Sequence, residues 1–196
     1  MGQATTRWYT LANLITGIRA ALALPVAAGL LFGHPALALA VFAVAVATDL
    51  LDGVIARRRG ESTALGGLLD HGTDAGFVTL VLAAAAWLGM TPWLLPALIP
   101  LAFLQYTLDS RALAGRPLRA SRLGRWNGIA YYVLAGGVLM TALIAGTSGS
   151  DRSALQDGLA TGIAVAGWLL AATTVASMAD RAVAFWRGRA GAAPRA

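Results

Sequence analysis

The chain alternates between long apolar runs and short polar breaks. Six runs can be drawn, at about 12–32, 36–57, 64–89, 92–112, 126–147 and 156–182. A helix needs about 20 apolar residues to cross the hydrocarbon core of a bilayer, and each run meets that length. The breaks carry turn chemistry: Gly33-His34-Pro35, Arg58-Arg59-Gly60-Glu61, Thr91-Pro92, Ala114-Gly115-Arg116-Pro117 and Gly146-Thr147-Ser148-Gly149. The pattern predicts an all-α polytopic membrane protein with six transmembrane helices. Because the second break is so short, it also predicts that helices two and three are antiparallel neighbours.

Composition sharpens this picture. Hydrophobic residues make up 58% of the 196 and charged residues only 12%, where a soluble domain carries about 25% charged residues. No linker-like polar run divides the chain, which predicts a single membrane domain over 1–196. Within it, residues 1–11 read as an interfacial segment anchored by Trp8 and Tyr9, and 188–196 as a disordered tail. No cleavable signal peptide is expected, since the N-terminus is polar and the first apolar run is too long for one. The absence of cysteine excludes disulfides, thiolate metal sites and a cysteine nucleophile. All fifteen basic residues are arginine, so a lysine Schiff base and a lysine-containing phosphate loop are excluded too.

The net charge of +6 does not indicate nucleic acid, because the arginines sit at the ends of apolar runs. Arg7, Arg57 to Arg59, the cluster Arg111, Arg116, Arg119, Arg122 and Arg125, and the tail Arg181, Arg187, Arg189 and Arg195 fall on one side. The other side holds Arg152. The positive-inside rule places both termini and both basic loops in the cytoplasm. The expected location is a bacterial inner membrane, with the active site towards the cytoplasm.

Four aspartates stand out in this apolar chain. Asp49, Asp52, Gly53, Ala56 and Arg57 follow i, i+3, i+4, i+7, i+8 spacing, and Gly66, Asp70 and Asp74 follow i, i+4, i+8, so each set shares one helix face. At about 1.5 Å rise per residue on either side of the short break, the four carboxylates reach a similar depth and are expected to converge. Ionised carboxylates in a membrane cost at least about 2.5–3.5 kcal/mol each, and Arg57 is the one basic residue on their stripes. Hard divalent cations suit such a set: Mg²⁺ and Mn²⁺ prefer oxygen ligands and bridge carboxylates to phosphates. The alternative is a structural salt-bridge network. Gly53, Ala56 and Gly66 remove bulk beside the acids, for a substrate or for ordinary helix packing. His71 should point about 100° away from Asp70, and His34 lies in a turn on the opposite side, so a zinc site is not expected.

Read from Asp49, the chain is D-x2-D-G-x2-A-R-x8-G-x3-D-x3-D, ending at Asp74. This resembles, at every fixed position, the signature of the CDP-alcohol phosphotransferases, integral membrane enzymes of phospholipid synthesis. The resemblance implies that Asp49, Asp52 and Asp70 ligate a dinuclear Mg²⁺ or Mn²⁺ centre, with Asp74 as catalytic base and ligand of the second ion. It implies that Gly53, Arg57, Thr63 and Gly66 hold the CDP portion of the donor. Asn13, Thr16 and Arg19 are similar to the family's Asn-x-x-Thr-x-x-Arg element beside the donor site; a capped helix start with Arg19 reaching to the interface is the other reading. The implied reaction passes a substituted phosphate, most readily phosphatidyl from CDP-diacylglycerol, to an alcohol acceptor and releases CMP. A homodimer is implied by the family alone.

The acceptor is open. Arg116, Arg119, Ser121, Arg122 and Arg125 form a basic segment that suits either a phosphorylated acceptor or anionic headgroups. Ser121-Arg122-Leu123-Gly124-Arg125-Trp126-Asn127 looks like a divergent form of the family's Gly-Lys-x-x-Thr element, which puts glycerol phosphate or inositol phosphate in doubt. Two further readings stand: transfer of a CDP-amino-alcohol's phosphate group to diacylglycerol, and a small cation transporter that uses the membrane aspartates.

Overall fold

The computed structural model describes the backbone of residues 11–59, 64–109, 122–147 and 154–190, and the side chains of 16–49, 66–108, 122–146 and 154–184. These residues form six helices: α1 (Leu11–Leu31), α2 (Pro35–Arg59), α3 (Ala64–Trp87), α4 (Leu94–Asp109), α5 (Arg122–Thr147) and α6 (Ala154–Ala190). Each coincides with an apolar run read from the sequence. Two stretches, Arg122–Gly146 and Ala154–Ala184, are long and apolar enough to cross a membrane; Thr16–Leu31, Pro35–Asp49 and Leu94–Leu108 are apolar but shorter. Helix α6 runs to Ala190, three residues into the segment expected to be a disordered tail; residues 1–10 and 191–196 lie outside the described residues.

Glycines set two of the turns. Gly33 and Gly89 have φ of 76° and 73°, a left-handed conformation that costs glycine no Cβ clash. At the end of α1 the His34 N–H donates to the Gly29 carbonyl at 2.7 Å and the Gly33 N–H to Leu30 at 3.4 Å. At the end of α3, Met90 donates to Ala85 at 2.9 Å and Gly89 to Ala86 at 3.0 Å. Both are Schellman caps, which satisfy the orphan carbonyls of a helix end. The break expected at Thr91-Pro92 therefore begins earlier, at Leu88, and α4 starts only at Leu94.

The packing order corrects one expectation. Helix α1 packs along both α2 and α3, whereas among the described residues α2 and α3 form no comparable backbone packing. They meet through long side chains, with the Phe42 and Phe77 rings 6.0 Å apart. A short loop constrains only the helix ends. Along the rest, small residues decide who approaches: a Cβ on Gly29 would lie 3.0 Å from the Ala38 Cβ, so α1 and α2 are close here. Ala23, Ala27, Ala38 and Ala45 are all buried in the same core. Helices α4, α5 and α6 complete the bundle through α3·α4, α4·α6, α5·α6 and α2·α5 contacts.

The outer surface is strongly apolar. Phe32, Leu24, Val133, Leu169 and Trp168 are largely exposed, and Trp87 and Trp93 meet edge-on at 6.3 Å by the α3–α4 turn. Large exposed apolar side chains on several helices suit lipid contact, with the tryptophan pair suited to an interface.

Candidate active site

The fold gathers charge around one side chain. Arg19 lies eight residues into α1, and its side chain is 0% exposed. Its guanidinium forms ion pairs with Asp49 of α2, with Asp70 of α3 at 2.5 Å and with Asp74 of α3 at 3.0 Å. Asp70 and Asp74 share a face because they are four residues apart on a helix. Asp49 joins them because α1 lies between α2 and α3 and carries the arginine to both. An arginine in an apolar run needs partners of this kind or a path to water. The expectation that Arg57 is the one cation available to the aspartates is thus corrected: Arg19, on a third helix, holds three of them. It does not reach to the interface.

The ion pairs leave much of the site open. Arg19 meets Oδ1 of each of the three carboxylates, and the Tyr132 hydroxyl donates to the same Oδ1 of Asp74 at 2.9 Å. None of these four contacts uses an Oδ2. The carboxylates are 27–40% exposed while the guanidinium behind them is not exposed at all. Three carboxylates less one guanidinium leave a formal charge of −2 on this cluster. A saturated structural network would be neutral and closed; among the described residues this one is neither. Accessible carboxylate oxygens with residual negative charge suit a hard divalent cation.

His71 departs from its expected position. One Asp70 oxygen, one His71 ring nitrogen and one Asp74 oxygen all lie within 4.8 Å of one another, a group able to hold a metal ion. The 100° step from Asp70 does separate their Cβ atoms, but His71 is also three residues before Asp74 and so close to it on the helix surface. Its ring meets the edge of Tyr106 at 6.0 Å.

Beside the carboxylates, a cavity of about 510 Å³ opens between α3, α4, α5 and α6, with Asp49 of α2 at its edge. Its lining includes Asp49 and Asp74 together with Arg125, Arg181, Asn127 and Ser177. Arg181 lies over the Tyr106 ring, its Cζ 4.5 Å from the centroid, where a cation–π contact holds the guanidinium. Asn127 is only 5% exposed and its Nδ2 has no hydrogen-bond partner. A buried amide donor without a partner is costly, and it suits a ligand oxygen. Tyr131 and Thr174 bridge α5 to α6 at 2.6 Å in the same wall. Thr174 donates its own proton to the Leu170 carbonyl at 2.7 Å, so Tyr131 is the donor.

The sequence-derived candidates divide as follows. Asp49, Asp70 and Asp74 come together. Thr16 is buried one turn before Arg19, and Gly66 lies partly buried one turn before Asp70. Arg125 lines the cavity; Arg122 is exposed and does not line it. Asn13, Asp52, Gly53 and Arg57 belong to α1 and α2, but their side chains lie outside the described residues, as do Thr63, Arg116, Arg119 and Ser121 altogether. Sequence reasoning missed Tyr132 and the cavity position of Arg181. Arg19 had left a signal, a lone charge inside an apolar run. Tyr132, one of four tyrosines, had not.

Compared with models of known protein families, residues 9–183 match the CDP-alcohol phosphatidyltransferase model. The chain belongs to the CDP-alcohol phosphatidyltransferase family. A search of the curated proteins returns no match. CDP-alcohol phosphatidyltransferases are transferases of substituted phosphate groups that move a phosphate-linked group from a CDP-alcohol to an alcohol acceptor in a membrane. They are integral membrane proteins and generally depend on divalent metal. Transport as the function gives way to transferase activity, and a buried arginine among the acids agrees with that.

Proposed function

We propose that the protein transfers a phosphatidyl group from CDP-diacylglycerol to an alcohol and releases CMP. The supporting observation is the open, negatively charged cluster of Asp49, Asp70 and Asp74 against Arg19, beside a cavity of about 510 Å³. Asp49, Asp52, Asp70 and Asp74 hold two Mg²⁺ or Mn²⁺ ions, which supply positive charge for the donor's pyrophosphate. Asn13, Thr16, Gly53, Arg57, Thr63 and Gly66 hold the CDP portion.

Asp74 is the base. It takes the proton of the acceptor hydroxyl, within hydrogen-bond reach as general-base catalysis requires. The acceptor oxygen bonds to the phosphorus farther from cytidine, the bond from that phosphorus to the bridging oxygen breaks, and CMP leaves with that oxygen. The chain's own contribution is orientation and charge, the usual division of labour in phosphoryl transfer.

The acceptor enters the cavity and carries an anionic group. Arg125 and Arg181 line it and Asn127 offers a free donor; guanidinium forks suit a phosphate. Of the basic segment, this assigns Arg125 to the acceptor, joined by Arg116, Arg119, Ser121 or Arg122 on its approach. In the bilayer the protein is a single domain of six spans, a homodimer with termini, basic loops and active site towards the cytoplasm, in a bacterial inner membrane. The arginine asymmetry supports that orientation.

The test is CMP release by purified protein in detergent with CDP-diacylglycerol, Mg²⁺ or Mn²⁺, and glycerol 3-phosphate, inositol phosphate, serine or phosphatidylglycerol in turn. Metal-dependent release with a phosphorylated acceptor is expected. Release only with serine would remove the phosphorylated acceptor. CDP binding without any release would favour a CDP-amino-alcohol donor with diacylglycerol as acceptor.

A further inference from the structure

Asp74 is held from two sides at one atom. Arg19 Nη2 lies 3.0 Å from its Oδ1, and the Tyr132 hydroxyl donates to the same Oδ1 at 2.9 Å. A carboxylate turns easily about its last torsion, whose preference is broad and two-fold. With one donor, the two oxygens can exchange roles at small cost. With a hydrogen bond from α5 and an ion pair from α1 converging on one oxygen, the group is held in rotation and Oδ2 remains for the reaction.

Tyr132 is itself fixed. Its ring stacks on Phe77, with centroids 5.8 Å apart and planes at 16°, and lies 6.2 Å from Phe42. Phe42 and Phe77 are both buried in the core that joins α2 and α3. The hydroxyl's position is thus set by three helices, α2, α3 and α5. Tyr132 also lines the cavity that Asp74 faces.

We propose that Tyr132 is a positioning residue: its hydroxyl, with Arg19, occupies Oδ1 of Asp74, so that Oδ2 is the atom that takes the acceptor proton. This rests on Asp74 being the base. An oxygen that already accepts a hydrogen bond and faces a guanidinium at 3.0 Å is the poorer proton acceptor, and a small misplacement of a reacting group can cost as much as about 10²-fold in rate.

Tyr132→Phe removes the hydroxyl and keeps the ring between Phe42 and Phe77. In detergent, with CDP-diacylglycerol, Mg²⁺ and the acceptors above, kcat for CMP release should fall about 10–100-fold, the usual effect of losing an orienting partner. KM for CDP-diacylglycerol, metal-dependent CDP binding and the thermal midpoint should stay near those of the unaltered protein. A merely structural role would lower the midpoint and CDP binding together with kcat. A kcat within about twofold of the unaltered protein would overturn the proposal.

A second measurement does not depend on finding an acceptor. Infrared spectra of the metal-free protein should show a carboxylate band that Asp74→Asn removes and Tyr132→Phe shifts. An unshifted band overturns the contact whether or not the enzyme turns over. A shifted band with an active Asp74→Asn variant would keep the contact but remove Asp74 as base.

Discussion

The two walls of the cavity are built on different principles. On one side, Asp49, Asp70 and Asp74 are drawn together on the fully buried Arg19, and every member of the cluster contacts a charge of opposite sign. On the other, Arg125, Asn127 and Arg181 come from two helices, and the Asn127 Nδ2 lacks a hydrogen-bond partner. Part of the first wall is built before any ligand arrives. The second keeps hydrogen-bonding capacity unspent. A group that must hold an ion and a proton with fixed geometry belongs on the first kind of wall; a group that must recognise and release a substrate belongs on the second.

The largest expected effect is at the carboxylate wall. Asp74→Asn keeps the shape and removes the proposed base, and CMP release should drop by about 10³-fold while metal-dependent CDP binding survives. A rate assay paired with CDP titration checks both halves. Appreciable turnover in that variant would take the chemistry away from this wall.

Next comes its cohesion. Arg19→Met leaves three carboxylates around an apolar side chain, and removing one partner of a buried ion pair costs about 3–5 kcal/mol. The partners here are 27–40% exposed, so the loss belongs at about 3 kcal/mol. Thermal unfolding of the metal-free protein in detergent would report it, and Mg²⁺ should restore part of the loss. An unchanged midpoint would mean that the cluster is held by something other than the guanidinium.

The opposite wall should respond in affinity. Arg181→Ala should raise KM for a phosphorylated acceptor about tenfold, a loss of about 1.4 kcal/mol, with CDP binding unaffected. If the donor's KM moved instead, the two walls would have exchanged roles. The smallest effect is expected where the second wall is internally bonded. Tyr131→Phe deletes the hydrogen bond to Thr174 and should cost about 1 kcal/mol of stability, read from the thermal midpoint.

The asymmetry between the walls is also an asymmetry in what the chain discloses. Asp70 and Asp74 were legible because i, i+4 spacing maps directly onto one helix face. Asp49 was legible because its apolar surroundings make a lone carboxylate expensive. Tyr132 and the cavity position of Arg181 were not, since no local period links residues on α5 to one on α6. The neighbour relation was misjudged for a related reason. A short loop between α2 and α3 fixes where they begin, and only the fit of Gly29 against Ala38 shows that α1 packs closely against α2.

The sequence by itself determined the family motif from Asp49 to Asp74, the six helical runs and the absence of lysine and cysteine chemistry. These follow from composition and from spacing within one helix, which are properties of neighbouring residues. Only the tertiary structure decided that Arg19 is the counter-charge, that His71 joins Asp70 and Asp74, and that Tyr132 reaches Asp74 across 58 positions. Those relations depend on how far each helix rotates and which small residues admit a close approach. Such quantities are set by the packing of all six helices together.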